Sequence, residues 1–479
     1  MREISMGKNL LGAAALLTCL SANAGSGDTV TEYLDANSAR YSDLAMSIWD
    51  KAELGYLETE SSALLQSTLV EEGFTVKTGV AEIPTAFVAS YGSGEPVIAV
   101  LAEFDALPGI SQSREPHRDI VAGKNSGHAC GHHLFGAGSV AAAIAVKQWM
   151  QDKKIPGTLR LYGTPAEEGG SGKVYLVRAG LFDDVDVVLH WHPGAKNTAN
   201  PSSSLANKSA KFKFRGISAH AAAAPERGRS ALDGVEAMNY MVNLMREHVP
   251  QETRIHYVIT NGGAAPNVVP DYAEVYYYVR HPKAETLLDI WDRVLAVADG
   301  AALGTGTKLE TEVMHGNHSL LPNETLAAAM HANLTRVGGV QYDKVERVYA
   351  KKITLTLGLD EDQTGTEQVI QPLKMSSGMG STDVGDVSWL VPTTGLRTAT
   401  WVPGTAAHSW QAIASGGTSI GSKGMMVAAK TLALTTIELF QNPELVMAAR
   451  EEMLQRRGSG FVYKALLGDR QPPLDYRIN

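Results

Sequence analysis

The sequence predicts an α/β protein: a helix-covered, mostly parallel sheet interrupted by a smaller inserted βαββαβ unit. Three observations lead there. Short apolar strands alternate with helical stretches up to about residue 190, the texture changes between about 207 and 317, and the αβ texture then resumes. The length agrees, since 479 residues exceed the roughly 100–200 of one ordinary domain. Between Tyr33 and Glu72, Leu44, Ile48, Leu54, Leu64, Leu65 and Leu69 recur at helical spacing until Gly73, which predicts two helices. Phe87 to Tyr91 and Val97 to Leu101 read as strands, the second running into Glu103-Phe104-Asp105. A small-residue helix follows over Gly136 to Met150, then a strand at Thr158 to Gly163, a helix near Lys173 to Ala179 and a strand at Val185 to Leu189. In such sheets ligands gather at the carboxyl ends of strands.

The inserted stretch reads as strand (Ala210 to Phe214), helix (Ser230 to Arg246), strand (Thr253 to Thr260), strand (Ala273 to Val279), helix (Glu285 to Ala298) and strand (Lys308 to Met314). That order is the signature of a ferredoxin-like unit. The last predicted helix is near Gly424 to Phe440, and the polar stretch from Gln455 onward reads as an ordinary terminal extension.

Composition narrows the function. Hydrophobic residues at 44% and charged residues at 19% exclude a disordered or coiled-coil chain. A formal charge of −9 supplies no basic field for phosphates, so no nucleic-acid partner is expected. Two cysteines, Cys19 and Cys130, exclude a disulfide scaffold. Arg2 and Lys8 precede the apolar run Asn9 to Leu20, and Ala22-Asn23-Ala24 offers small residues for cleavage. Residues 1–24 therefore read as a signal peptide, and the mature chain is expected to be periplasmic or secreted, with Cys130 as its one thiol. The run is short of the ~20 residues a membrane span needs, and none is expected elsewhere. The predicted layout is a discontinuous catalytic domain, 25–206 and 318–479, with an inserted domain at 207–317.

Four loops carry candidate chemistry. His128-Ala129-Cys130-Gly131-His132-His133 is the densest; in an extended loop Cys130 and His132 share a face and can grip one metal centre. Glu167 and Glu168 lie between a strand end and a glycine loop, where one carboxylate can bind metal and the other act as general base. His190-Trp191-His192-Pro193 follows an apolar strand, and His408 lies in a Pro-Gly-Thr-Ala-Ala-His loop. Each residue alone is as readily buried or solvated, but their convergence supplies the N, S and O ligands of a two-metal hydrolase. In the insert, His220 stands in a small-residue turn where it can donate to a developing oxyanion. Asn267 ends a flexible loop, and Arg280 closes an apolar strand where a guanidinium can hold a substrate carboxylate.

The strings AEFDALPG, HACGHH, GTPAEEGGSGK, VVLHWHPG, GISAHAAAAP, NVVPDYAEVYYYVRHP, GSTDVGDVSW and PGTAAHSW resemble metallopeptidase family twenty, the co-catalytic two-metal amidohydrolases. Within it they are most similar to the branch that hydrolyses aminobenzoyl-glutamate. The resemblance runs from about residue 100 to 430 in the family's order. It implies two divalent ions, zinc or manganese, held by Cys130, His132, Glu168, His190 and His408, with Glu167 as the base that deprotonates the attacking water. It further implies that Asp105 orients the site, that His220 reaches a partner subunit's site, and that Asn267 and Arg280 meet the scissile carbonyl and the substrate carboxylate. The insert then serves as a lid and dimerisation domain. His133 departs from the branch, which usually has Asn or Asp there, and it can be a ligand, sit behind the ligands or alter metal preference. The export signal is a second departure.

The expected activity is hydrolysis of N-acyl or N-aroyl amino acids, aminobenzoyl-glutamate-like substrates favoured, by a homodimer or a heteromer with a related subunit. Alternatives are a dipeptidase or carboxypeptidase on short peptides, and a partner-dependent subunit without activity of its own. A cysteine hydrolase built on Cys130 would leave Glu167, Glu168 and His408 without a purpose.

Overall fold

The computed structural model describes residues 27–359 and 363–478; the expected signal peptide and Cys19 lie outside the described residues. Apart from two-residue pairings, ten strands carry the architecture: β1 (Thr75–Thr78), β2 (Phe87–Ser93), β3 (Val97–Ala102), β4 (Gly157–Gly163), β5 (Val187–Gly194), β6 (Ala206–Arg215), β7 (Arg254–Asn261), β8 (Tyr272–His281), β9 (Lys308–Asn317) and β10 (Thr393–Ala399). The first sheet has the order β1-β2-β4-β3-β5-β10. Its strands β4, β3, β5 and β10 pair in parallel, while β2 is antiparallel to both β1 and β4. Strand β3, VIAVLA, is buried throughout, as a strand covered on both faces must be. Its carboxyl end delivers Glu103 and Asp105 to the site.

The helix His132–Lys153 lies against β3, β4 and β5. Its small residues permit the approach: a Cβ at Gly136 would stand 2.9 Å from the Glu103 carbonyl oxygen, and one at Gly138 2.9 Å from Met425 Cγ. The helices Ser38–Lys51 and Ser419–Gln441 pack on this same helix. Full burial of a Leu or Phe side chain in such a core contributes about 1.5–3 kcal/mol.

The second sheet, β7-β8-β6-β9, is antiparallel throughout. The helices Ala231–Met245 and Ala284–Thr305 close over it around Phe212, Phe214, Tyr277, Trp291 and Val294. With its strands in the spatial order second, third, first, fourth, this is the ferredoxin-like arrangement. Alternation along β8 sends Ala273, Val275, Tyr277 and Val279 into that core, and so turns Tyr276, Tyr278 and Arg280 to the opposite face.

Three expectations are corrected. Strand β5 does not stop at Leu189 but runs to Gly194, so His190, Trp191 and His192 are strand residues. The long helix begins at His132 rather than Gly136, following Gly131 at φ 80°. The stretch beyond Arg457 is no ordinary extension. Leu466 is buried in the core of the second sheet and Leu467 in that of the first, and Arg470 donates to the Met314 carbonyl at 2.8 Å. No described helix is long and apolar enough to cross a membrane.

Candidate metal centre

The site forms at the carboxyl ends of β3, β4 and β5 and at the loop after β10, where an open α/β sheet gathers ligands. Gly131 in the left-handed region ends the Cys130 turn, and the helix then starts at once. Successive helical residues diverge by about 100°, so His132 and His133 part company. His132 turns to the site, and its Nδ1 donates to Asp105 Oδ1 at 2.9 Å. His133 turns away and donates from Nε2 to the Gly416 carbonyl at 3.0 Å. Burial, with His128 beside it, holds His133 well below its usual pKa range. It is fully buried and belongs to none of the ligand groups formed by the described residues.

His192 takes the place expected of His190. Both lie on one face of β5, flanking the buried Trp191, but His192 is nearer the strand's carboxyl end. Its Nδ1 donates to the Pro193 carbonyl at 2.7 Å, which leaves the Nε2 lone pair 3.3 Å from Cys130 Sγ. His190 belongs to none of the ligand groups formed by the described residues. Its ring covers Gly395 of β10, where a Cβ would stand 2.4 Å from it, and burial, then Lys173 and Arg397, push it down to about 3.

Glu167 and Glu168 are set by a strained turn. Ala166 is held at φ 56°, a conformation costing of order 1–3 kcal/mol for a non-glycine residue. Two buried carboxylates hold the turn: Glu58 accepts the Ala166 N–H at 2.8 Å, and Asp105 Oδ2 accepts the Glu168 N–H at 2.9 Å. His408, at φ 61°, places Nε2 3.3 Å from Glu168 Oε1.

The donors fall into overlapping groups. Cys130, His132 and His192 form one, and Cys130, Glu168 and His408 a second, with ligand atoms within 4.8 Å of one another in each. Cys130 is common to both, so a single thiolate could serve two neighbouring ions. Glu103, His132 and Glu167 form a third. The donor atoms suit a cation. Nδ1 of both His132 and His192 is spent on a hydrogen bond, so Nε2 offers a lone pair. Glu103 Oε2 faces His132 Nε2 at 3.1 Å and Glu168 Oε1 faces His408 Nε2 at 3.3 Å, so these buried carboxylate oxygens need a positive charge beside them, from a protonated imidazole or from a cation. Charge says the same. Burial opposes protonation of His132, but Cys130, Asp105 and Glu103 outweigh it and hold the imidazole well above its usual range. The Cys130 thiol and the Glu168 carboxylate likewise push His408 up to about 10. Burial first, then Glu103, Glu168 and Asp383, hold the Glu167 carboxyl well above the usual carboxylate range.

Behind the ligands runs a buried ionic chain that the sequence reading missed. Lys173 Nζ, fully buried, donates to Glu103 Oε1 at 2.6 Å and Asp383 Oδ1 at 2.8 Å. Glu103 in turn has Oε2 3.1 Å from His132 Nε2. Glu103 and Asp105 share one side of an extended segment directly after an apolar strand, and that spacing was the available signal for Glu103.

A cavity of about 680 Å³ opens over these groups, lined by Glu167, Glu168, His408, Tyr278 and Arg280 among others. Arg280 reaches it from β8, with Nη1 3.4 Å from Ser381 Oγ. His220 and Asn267 do not line it. They are neighbours on an exposed edge of the inserted unit, joined by the Ala221 N–H to the Asn267 carbonyl at 3.0 Å.

Fold and site together define a two-domain metallohydrolase. Residues 206–305 match the peptidase dimerisation domain of the M20 peptidases. The chain is 41% identical over 455 residues to a subunit of the p-aminobenzoyl-glutamate hydrolase of Escherichia coli (strain K12), covering 89% of this chain and 94% of that one. It is 30% identical over 436 residues to the Xaa-Arg dipeptidase of Mus musculus, covering 88% and 90%. In fold it is similar to a Bacillus subtilis dinuclear metal binding peptidase of the M20 family, with a TM-score of 0.57 at 20% identity over 85% of this chain and 99% of that one. The chain belongs to metallopeptidase family twenty, the M20 family, and is a hydrolase.

Proposed function

We propose that the chain hydrolyses the amide bond of N-acyl and N-aroyl amino acids, aminobenzoyl-glutamate-like substrates first among them, through a two-metal centre. The observation that carries the reading is the Glu167 carboxyl, set beside the ligand groups in a cavity whose other wall presents the Arg280 guanidinium. Cys130, His132 and His192 on one side and Cys130, Glu168 and His408 on the other would hold two divalent ions, which when bound polarise the scissile carbonyl and acidify water. Thiolate and imidazole favour zinc, while the carboxylates also accept manganese.

The remaining steps belong to the protein's own groups. Glu167 takes the proton of the attacking water and returns it to the leaving amine. Asp105 fixes His132 and the Glu168 backbone together. Arg280 receives the carboxylate of the leaving amino acid. His220 and Asn267, exposed on the inserted unit, serve the site of a second copy or a related chain, where His220 donates to the oxyanion and Asn267 meets the carbonyl. A homodimer or a heteromer with a related subunit satisfies that geometry, and the name of the E. coli relative, a subunit, supports it. The signal peptide read over residues 1–24 supports a periplasmic or secreted enzyme.

The test is a panel of N-benzoyl amino acids, their amides and unblocked dipeptides, assayed with metal-reconstituted protein. Cleavage of blocked acids, lost on chelation and restored by zinc or manganese but not by a thiol reductant, is expected. Cleavage confined to unblocked dipeptides would refute the reading.

A further inference from the structure

The stretch after Arg457 crosses the boundary between the two sheets and reaches the cavity at Arg477. Leu466 and Leu467 anchor it in the two cores, His318 Nε2 donates to the Lys464 carbonyl at 2.9 Å, and Arg178 donates to the Arg470 carbonyl at 2.7 Å. Tyr476 packs its ring 5.5 Å from that of Tyr56 and donates from its hydroxyl to the Glu168 carbonyl at 3.1 Å. The next residue, Arg477, donates to the same Glu168 carbonyl through its own guanidinium and lines the cavity.

Arg477 and Arg280 share an unusual property: neither forms an ion pair with any described carboxylate, and Nε of each is buried without a partner. A third buried donor or acceptor, His315 Nε2, is also unmatched. The groups adjoin. Arg280 Cζ stands 5.4 Å from the Tyr278 ring, whose centroid is 5.0 Å from that of His315. The Tyr278 hydroxyl and Arg477 Nη2 each lie 3.7 Å from the point a Cβ on Gly169 would occupy. Two half-buried guanidinium groups with no carboxylate in direct contact leave their forks open to the charges of a ligand. One carboxylate satisfies one planar fork, so two forks ask for two carboxylates.

We propose that Arg477 is a specificity-determining residue beside Arg280: with Arg280 on the α-carboxylate of the leaving amino acid, Arg477 takes a side-chain carboxylate and distinguishes it from its amide. This rests on the hydrolase reading above. The test compares N-benzoyl-glutamate with N-benzoyl-glutamine on wild type, Arg477→Gln, Arg477→Lys and Tyr476→Phe, with glutarate against butyrate as binding probes by calorimetry. Arg477→Gln should lower kcat/KM on the glutamate substrate at least ~tenfold, mainly through KM, and shift the glutamine substrate by no more than ~twofold. Arg477→Lys should recover part of the preference, and Tyr476→Phe, which keeps the guanidinium, should retain it. Glutarate should bind wild type more tightly than Arg477→Gln, with butyrate indifferent to the change. Equal losses on both substrates, or a glutamate preference lost as fully in Tyr476→Phe as in Arg477→Gln, would overturn the proposal and show the segment to be a strap only. Wild-type protein that hydrolyses both substrates equally also overturns it while leaving the hydrolase standing. If wild type binds glutarate through Arg477 yet cleaves no N-acyl amino acid, the subsite stands and the hydrolase reading fails.

Discussion

Asp105 joins the two ligand groups, and its replacement by asparagine should loosen both at once. One oxygen accepts from His132 Nδ1 and the other from the Glu168 backbone, each at 2.9 Å. The amide of Asp105→Asn has a single acceptor oxygen, so its NH2 must face one of those two donors. One charge-assisted hydrogen bond is lost, worth about 1.5–3 kcal/mol, and a buried donor is left unmatched. His132 can relieve the conflict by moving its proton to Nε2, but that occupies the lone pair a metal needs. Part of the loss is absorbed by relaxation, and the expected net effect is metal binding about 10- to 100-fold weaker, or about 1.4–2.7 kcal/mol. Competition against a chromophoric zinc chelator measures it, with far-ultraviolet circular dichroism to confirm that the variant folds. An affinity within twofold of wild type would refute the assignment of Asp105 as the brace of this centre.

Two further outcomes follow from particular residues. His192→Ala should lose one of two metal equivalents on dialysis while His190→Ala keeps both; the reverse pattern would return His190 to the ligand set. Asp386, buried and accepting from the His318 N–H at 2.9 Å and the Tyr463 hydroxyl at 2.8 Å, has its carboxyl raised to about 6, chiefly by burial. Because the folded state holds this proton more tightly than the unfolded chain, its contribution is complete below about pH 4 and is lost as pH rises through 6, a change of about 3 kcal/mol. Asparagine can accept from His318 and donate to Tyr463, so Asp386→Asn should fold and lack this slope. Denaturant unfolding of both proteins from pH 4 to 7 checks it, and a constant difference between them would contradict the assignment.

Much of the site was legible because its residues sit in short motifs directly after apolar strands. Cys130, His132, Glu167, Glu168 and His408 could be gathered from periodicity and chemistry before any geometry was known. The error at His190 is one of strand length: His190 and His192 share a face, and only the true end of β5, at Gly194, shows which of them reaches Cys130. His133 could not be separated from His132 without knowing that the helix begins between the turn and the pair. The Lys173–Asp383 link and the placement of Arg477 were invisible for another reason. Lys173 and Asp383 meet across 210 residues, and Arg477 meets the Glu168 carbonyl across 309, so neither leaves a local pattern. The ferredoxin-like unit was the opposite case, since its alternating strands and amphipathic helices are contiguous in the chain.

The central claim is that Glu167 moves the proton while other residues hold the metal. Glu167→Gln keeps the shape of the side chain and removes the base. With N-benzoyl-glutamate as substrate, kcat should fall by about 10²–10⁴, while metal content stays at the wild-type two equivalents and glutarate still binds. Turnover near the wild-type rate, or loss of a metal equivalent in this variant, would contradict the account.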